Sequence, residues 1–117
     1  MNNIAHASGK NLKVSPRKAR LVINMIRGQK VRFAVGFLEN TRRTSNPYIL
    51  NILRSAIANV EQKFPGFISD KLYVTEARVD KGYVLKRFRA RAMGRGAPVL
   101  KKTSHIKISV GSLTEDY

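Results

Sequence analysis

The sequence predicts an α+β fold: three helices packed on a small antiparallel sheet, with one long, protruding basic β-hairpin. Three observations lead there. Apolar residues recur at helical spacing in three stretches before residue 65. After Lys71 the pattern turns to β-formers, and it alternates at Ile106, Ile108 and Val110. Between Asp80 and Glu115 stand nine Lys or Arg residues and no acid. That last stretch is too basic for a core, because an unpaired buried charge costs several kcal/mol. It is also too rich in Val, Leu, Phe and Tyr for a plain tail.

The first helix is predicted from Ser15-Pro16, a residue able to cap free N–H groups followed by one suited to the first helical position. Ala19, Val22, Ile23 and Ile26 follow at i, i+3, i+4 and i+7, and Gly28 is a natural stop. Arg17, Lys18, Arg20 and Arg27 fall on other faces. Val31, Ala34, Val35 and Leu38 repeat the spacing in a second helix, which Gly36 weakens by about 1 kcal/mol. Thr41–Asn46 reads as a loop. Asn46-Pro47 repeats the cap-then-proline signal. Ile49, Ile52, Leu53, Ala56, Ile57 and Val60 then form the longest stripe, closed by Pro65-Gly66. This third helix is the expected centre of the core. Phe33, Phe37, Tyr48, Phe64, Phe67 and Tyr73 are expected in the core or at its edge.

Lys71–Asp80 is rich in β-formers, though its two faces are mixed. Ile106, Ile108 and Val110 alternate with Lys107 and Ser109, as in a half-buried strand. Residues around Ala5–Val14 are suited to an edge strand. Between the two main strands lies the basic segment, with Gly94-Arg-Gly96 as its turn region. The expected hairpin spans about 80–106 of a single 1–117 domain. Folded near Met93, each arm runs about ten residues, or roughly 30 Å, longer than so small a domain can cover.

The net charge is +16 and the pI near 11.1, while hydrophobic residues make up 43% of the chain. The balance speaks of partners rather than of fold, with nucleic acid first among them. Charge is also unevenly placed. Residues 1–38 carry eight cations and no acid, 39–80 carry six cations and five acids, and 81–114 are purely basic. The middle is expected to hold the core and the ends the contacts. Cysteine is absent, which removes disulfides, Cys-ligated zinc and thiol catalysis. No apolar run approaches the roughly 18 residues of a membrane span, no secretory signal opens the chain, and no membrane partner is expected. Neither His6 nor His105 has neighbours at metal-ligand spacing, no GxxxxGK[ST] loop occurs, and Glu76 with Asp80 reads as local charge balance. No catalytic site, metal or cofactor is expected.

Two basic sets point to phosphate. In an extended arm Arg87, Arg89 and Arg91 share one face, with Val84, Lys86, Phe88, Ala90 and Ala92 on the other. Lys81, Arg95, Lys101 and Lys102 extend the set. Arg forks pair with phosphate and stack on bases. Lys10, Lys13, Arg17, Lys18 and Arg20 surround a helix N-terminus, which favours anions. His105, beside Lys107 on the polar face of the last strand, is placed to join them. A solvated charged surface is the plainer alternative for each set. A basic-arm architectural DNA-binding protein is the alternative function.

Ser15-Pro-Arg-Lys-Ala-Arg-Leu-Val22, Ile26-Arg-Gly28, Ser55-Ala-Ile-Ala-Asn59, Lys86-Arg87, Arg91-Ala-Met-Gly-Arg95 and Lys101-Lys-Thr-Ser-His-Ile106 occur in this order. Together they resemble the large-subunit ribosomal protein twenty-two family of bacterial and organellar type, over roughly Ala5 to Val110. The resemblance implies a structural constituent of the large ribosomal subunit, in the bacterial cytoplasm or an organelle matrix. It implies binding to large-subunit rRNA, a part in subunit assembly, and neighbouring large-subunit proteins as partners. It further implies a hairpin lining the peptide exit tunnel. There Leu85, Lys86, Arg87, Arg91 and Arg95 would face the nascent peptide and macrolide antibiotics.

Overall fold

Six elements follow one another in the computed structural model: β1 (Asn2–Leu12), α1 (Pro16–Ile26), α2 (Val31–Asn40), α3 (Asn46–Lys63), β2 (Tyr73–Ala90) and β3 (Gly96–Ser112). The structure describes residues 2–66, 71–90 and 96–112, and within these the side chains of all but 2–3, 85–90 and 96–101. The strands form one antiparallel sheet in the order β1-β3-β2. The expected α+β architecture is therefore present, with β1 as the edge strand and β3 in the centre.

Each stripe read from the sequence forms core. Ala19, Val22, Ile23 and Ile26 of α1, Val31, Ala34 and Leu38 of α2, and Ile49, Leu53, Ala56 and Val60 of α3 are buried. They meet Val74, Ala77, Val79, Ile106, Ile108 and Val110 from the sheet. Val35, Ile57, Phe37, Tyr48 and Phe64 pack at the core's edge. Gly28 stops α1 with φ +79°, and its N–H donates to Val74 O at 2.9 Å. Phe67 lies outside the described residues.

Several expectations need correction. Phe33 is 54% exposed, because it sits one position before the buried Ala34 and points away from the core. There it stacks on Phe37 with ring centroids 6.3 Å apart. Ser15 occupies the cap position of α1, but its side chain makes no capping hydrogen bond. Asn46 is no cap either. Ser45 holds that position, and Asn46 is the first helical residue, its amide turned back onto Leu38 O and Thr41 O. Ser109 is buried at 3% exposure rather than on an open polar face. As part of the central strand it is flanked by β1 and β2 on both sides.

The mixed faces of Lys71–Asp80 have a physical cause. The register of β2 on β3 shifts between Val74 and Glu76. This bulge at Thr75 brings Val74, Ala77 and Val79 to the core, so the buried positions do not keep period two. A second shift lies between Lys81 and Val84, where Gly82 and Tyr83 oppose Thr103. β1 reaches only to Leu12, opposite Ser104. Beyond that point β2 and β3 continue as a two-stranded ribbon, paired from Val84↔Lys102 to Ala90↔Gly96. The radius of gyration is 17.4 Å and the molecule measures 66 × 24 × 19 Å, whereas a compact chain of this length has a radius near ~13 Å. The hairpin accounts for the excess.

Candidate nucleic-acid interface

The hairpin base and the start of α1 come together. Arg17 and Arg20 from α1, with Lys81 of β2 and Lys102 of β3, line a groove of about 360 Å³. Ser15, Pro16, Gly82, Val84 and Thr103 complete its walls. All four cations are exposed. The first turn of α1 contains no acid. Among the described residues the ion pairs are Arg54–Glu39 at 2.7 Å and Arg78–Asp80 at 3.4 Å, so no carboxylate neutralises this groove. Four unpaired cations at an uncapped helix N-terminus make a phosphate-attracting surface. Two sets that are more than sixty residues apart in sequence thus line one groove.

Arg20 has a second task. Its Nε and one terminal nitrogen donate to Val79 O at 3.3 and 3.1 Å. Arg27, two helical turns on, donates to Ala77 O at 3.0 and 2.7 Å and to Asn24 Oδ1 at 2.8 Å. Residues two apart in a strand point to the same edge, so α1 covers one edge of β2. The sequence placed Arg27 off the apolar stripe of α1. Its i+7 spacing from Arg20 was the available signal, but the strand it meets could not be read from that spacing. On the far side of the sheet Asn59 and Lys63 of α3 donate to His6 O and Ile4 O of β1 at 2.8 and 3.0 Å. Both edges are therefore occupied by helix side chains, which guards them against strand addition.

The remaining candidates divide. Lys10, Lys13 and Lys18 are exposed but lie outside the hairpin-base groove. Lys18 lines a separate groove of about 350 Å³ with Leu21, Arg43, Thr44 and Ser45. His105 is half-buried, and its Nδ1 accepts the Asn11 backbone N–H at 3.1 Å. That bond holds β1 where Asn11 takes φ +57° and leaves Nε2 as the nitrogen that can face a partner. The backbones of Leu85, Lys86, Arg87, Arg89 and Lys101 run in the paired ribbon. Arg91 and Arg95, with Met93, lie outside the described residues. Tyr83 and Val84, at 53% and 48% exposed, give the ribbon's base an apolar surface beside its cations. No helix among the described residues is long and apolar enough to cross a membrane.

Residues 7–111 match the sequence family described as ribosomal protein L22p/L17e. The chain is 42% identical over 111 residues to the large ribosomal subunit protein uL22 of Lactobacillus delbrueckii subsp. bulgaricus, covering 95% of this chain and 94% of that one. It is 46% identical over 106 residues to the protein of the same name from Lactobacillus helveticus, covering 91% and 90%. A match that spans helices, sheet and hairpin alike leaves no part of the fold to another lineage, and the chain belongs to the ribosomal protein L22p/L17e family.

Proposed function

We propose that this protein is a structural constituent of the large ribosomal subunit, binding large-subunit rRNA through the hairpin-base groove and the ribbon beyond it. The observation that carries this reading is the convergence of Arg17, Arg20, Lys81 and Lys102 with no acid among them. Phosphates on two rRNA segments could be held there at once, one from the α1 side and one from the hairpin side. The ribbon then runs outward between rRNA segments and lines the peptide exit tunnel. In that position Leu85, Lys86, Arg87, Arg91 and Arg95 face the nascent peptide and any macrolide bound nearby. Bridging rRNA segments is also how the protein aids assembly. It performs no catalysis. The bacterial origin of the relatives favours ribosomes of the bacterial cytoplasm over organellar ones.

Sucrose-gradient fractionation of native lysate after a moderate salt wash tests this. Co-migration of the protein with large subunits is the expected result. Recovery only in free or DNA-bound fractions would overturn it in favour of an architectural DNA-binding role.

A further inference from the structure

The central strand β3 changes character at one point. Val110, Ile108 and Ile106 alternate along it and are fully buried, and Ser104, the next residue in that row, is fully buried too. An aliphatic side chain would fill such a place, yet here a hydroxyl does. Its Oγ donates to Val14 O at 2.7 Å, reaching 90 residues back along the chain. Its neighbours are also engaged. The Thr103 hydroxyl, in a residue 4% exposed, donates to Tyr83 O at 2.6 Å. His105 Nδ1 accepts the Asn11 N–H at 3.1 Å. Successive side chains of β3 thus hold three different segments: the base of the ribbon in β2, the leader of α1 and the end of β1.

This joint sits between the walls of the hairpin-base groove. Lys102 immediately precedes Thr103, and Val14 leads directly into Ser15, Pro16 and Arg17. The Ser104–Val14 bond therefore links the wall that carries Lys102 to the wall that carries Arg17 by a short path. The start of α1 has no cap of its own, since Ser15 makes no side-chain capping bond. The helix's other ties to the sheet, Arg20 to Val79 O and Arg27 to Ala77 O, lie about one and three turns further along. What anchors the first turn is upstream of it. Val14 is held by Ser104 and by its own N–H, which donates to Leu12 O at 2.8 Å. Val14 is itself 5% exposed, so its carbonyl has a costly burial to offset, and the Ser104 hydroxyl meets it.

We propose that Thr103 and Ser104 are positioning residues of the hairpin-base groove. They act through the cations they place: Ser104 holds the start of α1 with Arg17, and Thr103 holds Tyr83 of β2 close to Lys81. The spacing of the groove's walls is then set by two buried hydroxyls rather than by the cations themselves. This role rests on the RNA-binding reading above, since the groove is the first contact for rRNA.

The test joins amide hydrogen exchange by NMR to filter binding of a large-subunit rRNA transcript, both on the full chain. S104A and T103V remove one hydroxyl each, T103S keeps it, and V60A serves as a control. Val60 is buried in α3 and does not line the groove, so its truncation lowers overall stability alone. The Ala19 amide, which donates to Ser15 O in the first turn of α1, is expected to exchange about tenfold faster in S104A. In V60A it keeps its wild-type rate. S104A and T103V are expected to weaken rRNA binding about fivefold, because the cations are no longer held in place beforehand, while T103S and V60A bind as wild type. Unchanged exchange at Ala19 in S104A overturns the tie to α1. Wild-type rRNA affinity in S104A and T103V reduces both hydroxyls to stability alone and overturns the positioning role. Should S104A fail to fold, T103V against T103S decides, and equal affinities overturn the proposal. K81A/K102A separates this from the wider reading: wild-type binding by that variant overturns RNA binding at the groove and the positioning role with it, whereas weakened binding there with wild-type binding by S104A and T103V overturns the positioning role alone.

Discussion

Gly82 stands at the bulge where the ribbon leaves the three-stranded sheet, and its replacement by Ala tests how that exit is built. A Cβ at Gly82 would fall directly on Thr103 Oγ1, with the carbonyl carbon of Thr103 at 3.1 Å and its Cβ at 3.2 Å. Thr103 has little freedom to retreat. It is 4% exposed, and its hydroxyl donates to Tyr83 O at 2.6 Å. Two costs follow. Losing the hydroxyl bond costs about 1 kcal/mol, and forcing one extra methyl into a packed site costs about 1–3 kcal/mol. The smaller unfolded-state entropy of Ala offsets about 0.5 kcal/mol. G82A is therefore expected to destabilise by about 2–3 kcal/mol in urea unfolding followed by circular dichroism. The corresponding fall in Tm is about 8–12 °C for a domain of this size. Because Oγ1 is the closest obstacle, T103A should relieve part of the strain. The double variant G82A/T103A should fall short of the sum of the two by about 1 kcal/mol. A G82A variant within 0.5 kcal/mol of wild type, or strict additivity with T103A, would refute the account of the bulge. Both residues also line the hairpin-base groove, so the same change should weaken rRNA binding.

Three further outcomes follow from the same contacts. K81A/K102A removes two groove cations and should lower the salt slope of rRNA binding by about 1.5, with urea stability nearly unchanged because both residues are exposed. R27A removes two hydrogen bonds to Ala77 O. It should cost about 1–2 kcal/mol in urea unfolding and raise light scattering as the β2 edge is uncovered, and R27K should rescue neither, lacking the fork. S104A deletes the donor that reaches Val14 O at 2.7 Å from a fully buried side chain. A loss of about 1–3 kcal/mol is expected by thermal or urea melting, against a small effect for S55A, whose hydroxyl is exposed.

The helices were legible because their signals are local. Stripes at helical spacing, Pro at the first turns and Gly28 at a stop need no knowledge of the partner surface, and each places its residues in the core. Ser15 and Asn46 show the limit of such signals. A polar side chain beside a proline can cap a helix, but whether it does depends on what else competes for it. At Asn46 the carbonyls of Leu38 and Thr41 compete successfully. Strand β2 was read only in part, since a bulge at Thr75 breaks the alternation that sequence reading relies on. For the interface, the sequence supplied both basic sets but not their meeting. Arg17 and Lys102 are brought together by a sheet order, β1-β3-β2, that no spacing reveals. The cations at Arg42, Arg43 and Arg54 are balanced by nearby acids in the sequence count. In space only Arg54 takes such an acid, Glu39, among the described residues.

Where the protein stops covering its own backbone tells where a partner must begin. Along β2 the outer edge is bonded by the turn after α1 at Leu72 and Val74, then by Arg27 at Ala77 and Arg20 at Val79. Those contacts end two residues before Lys81. On the other side β1 leaves β3 at Ser104. Past the bulge, the seven pairs from Val84↔Lys102 to Ala90↔Gly96 carry no third strand among the described residues. A two-stranded ribbon of that kind is marginal in water by itself, and self-repulsion among its lysines and arginines lowers its stability further. Its length cannot be explained by folding energy within this chain. It is explained if both its edges and its charges are met by a polyanion whose first contact is the groove at its base. Arg20 then couples the two regimes: one part of its guanidinium closes the protein's own edge, and the rest faces the groove where the partner takes over.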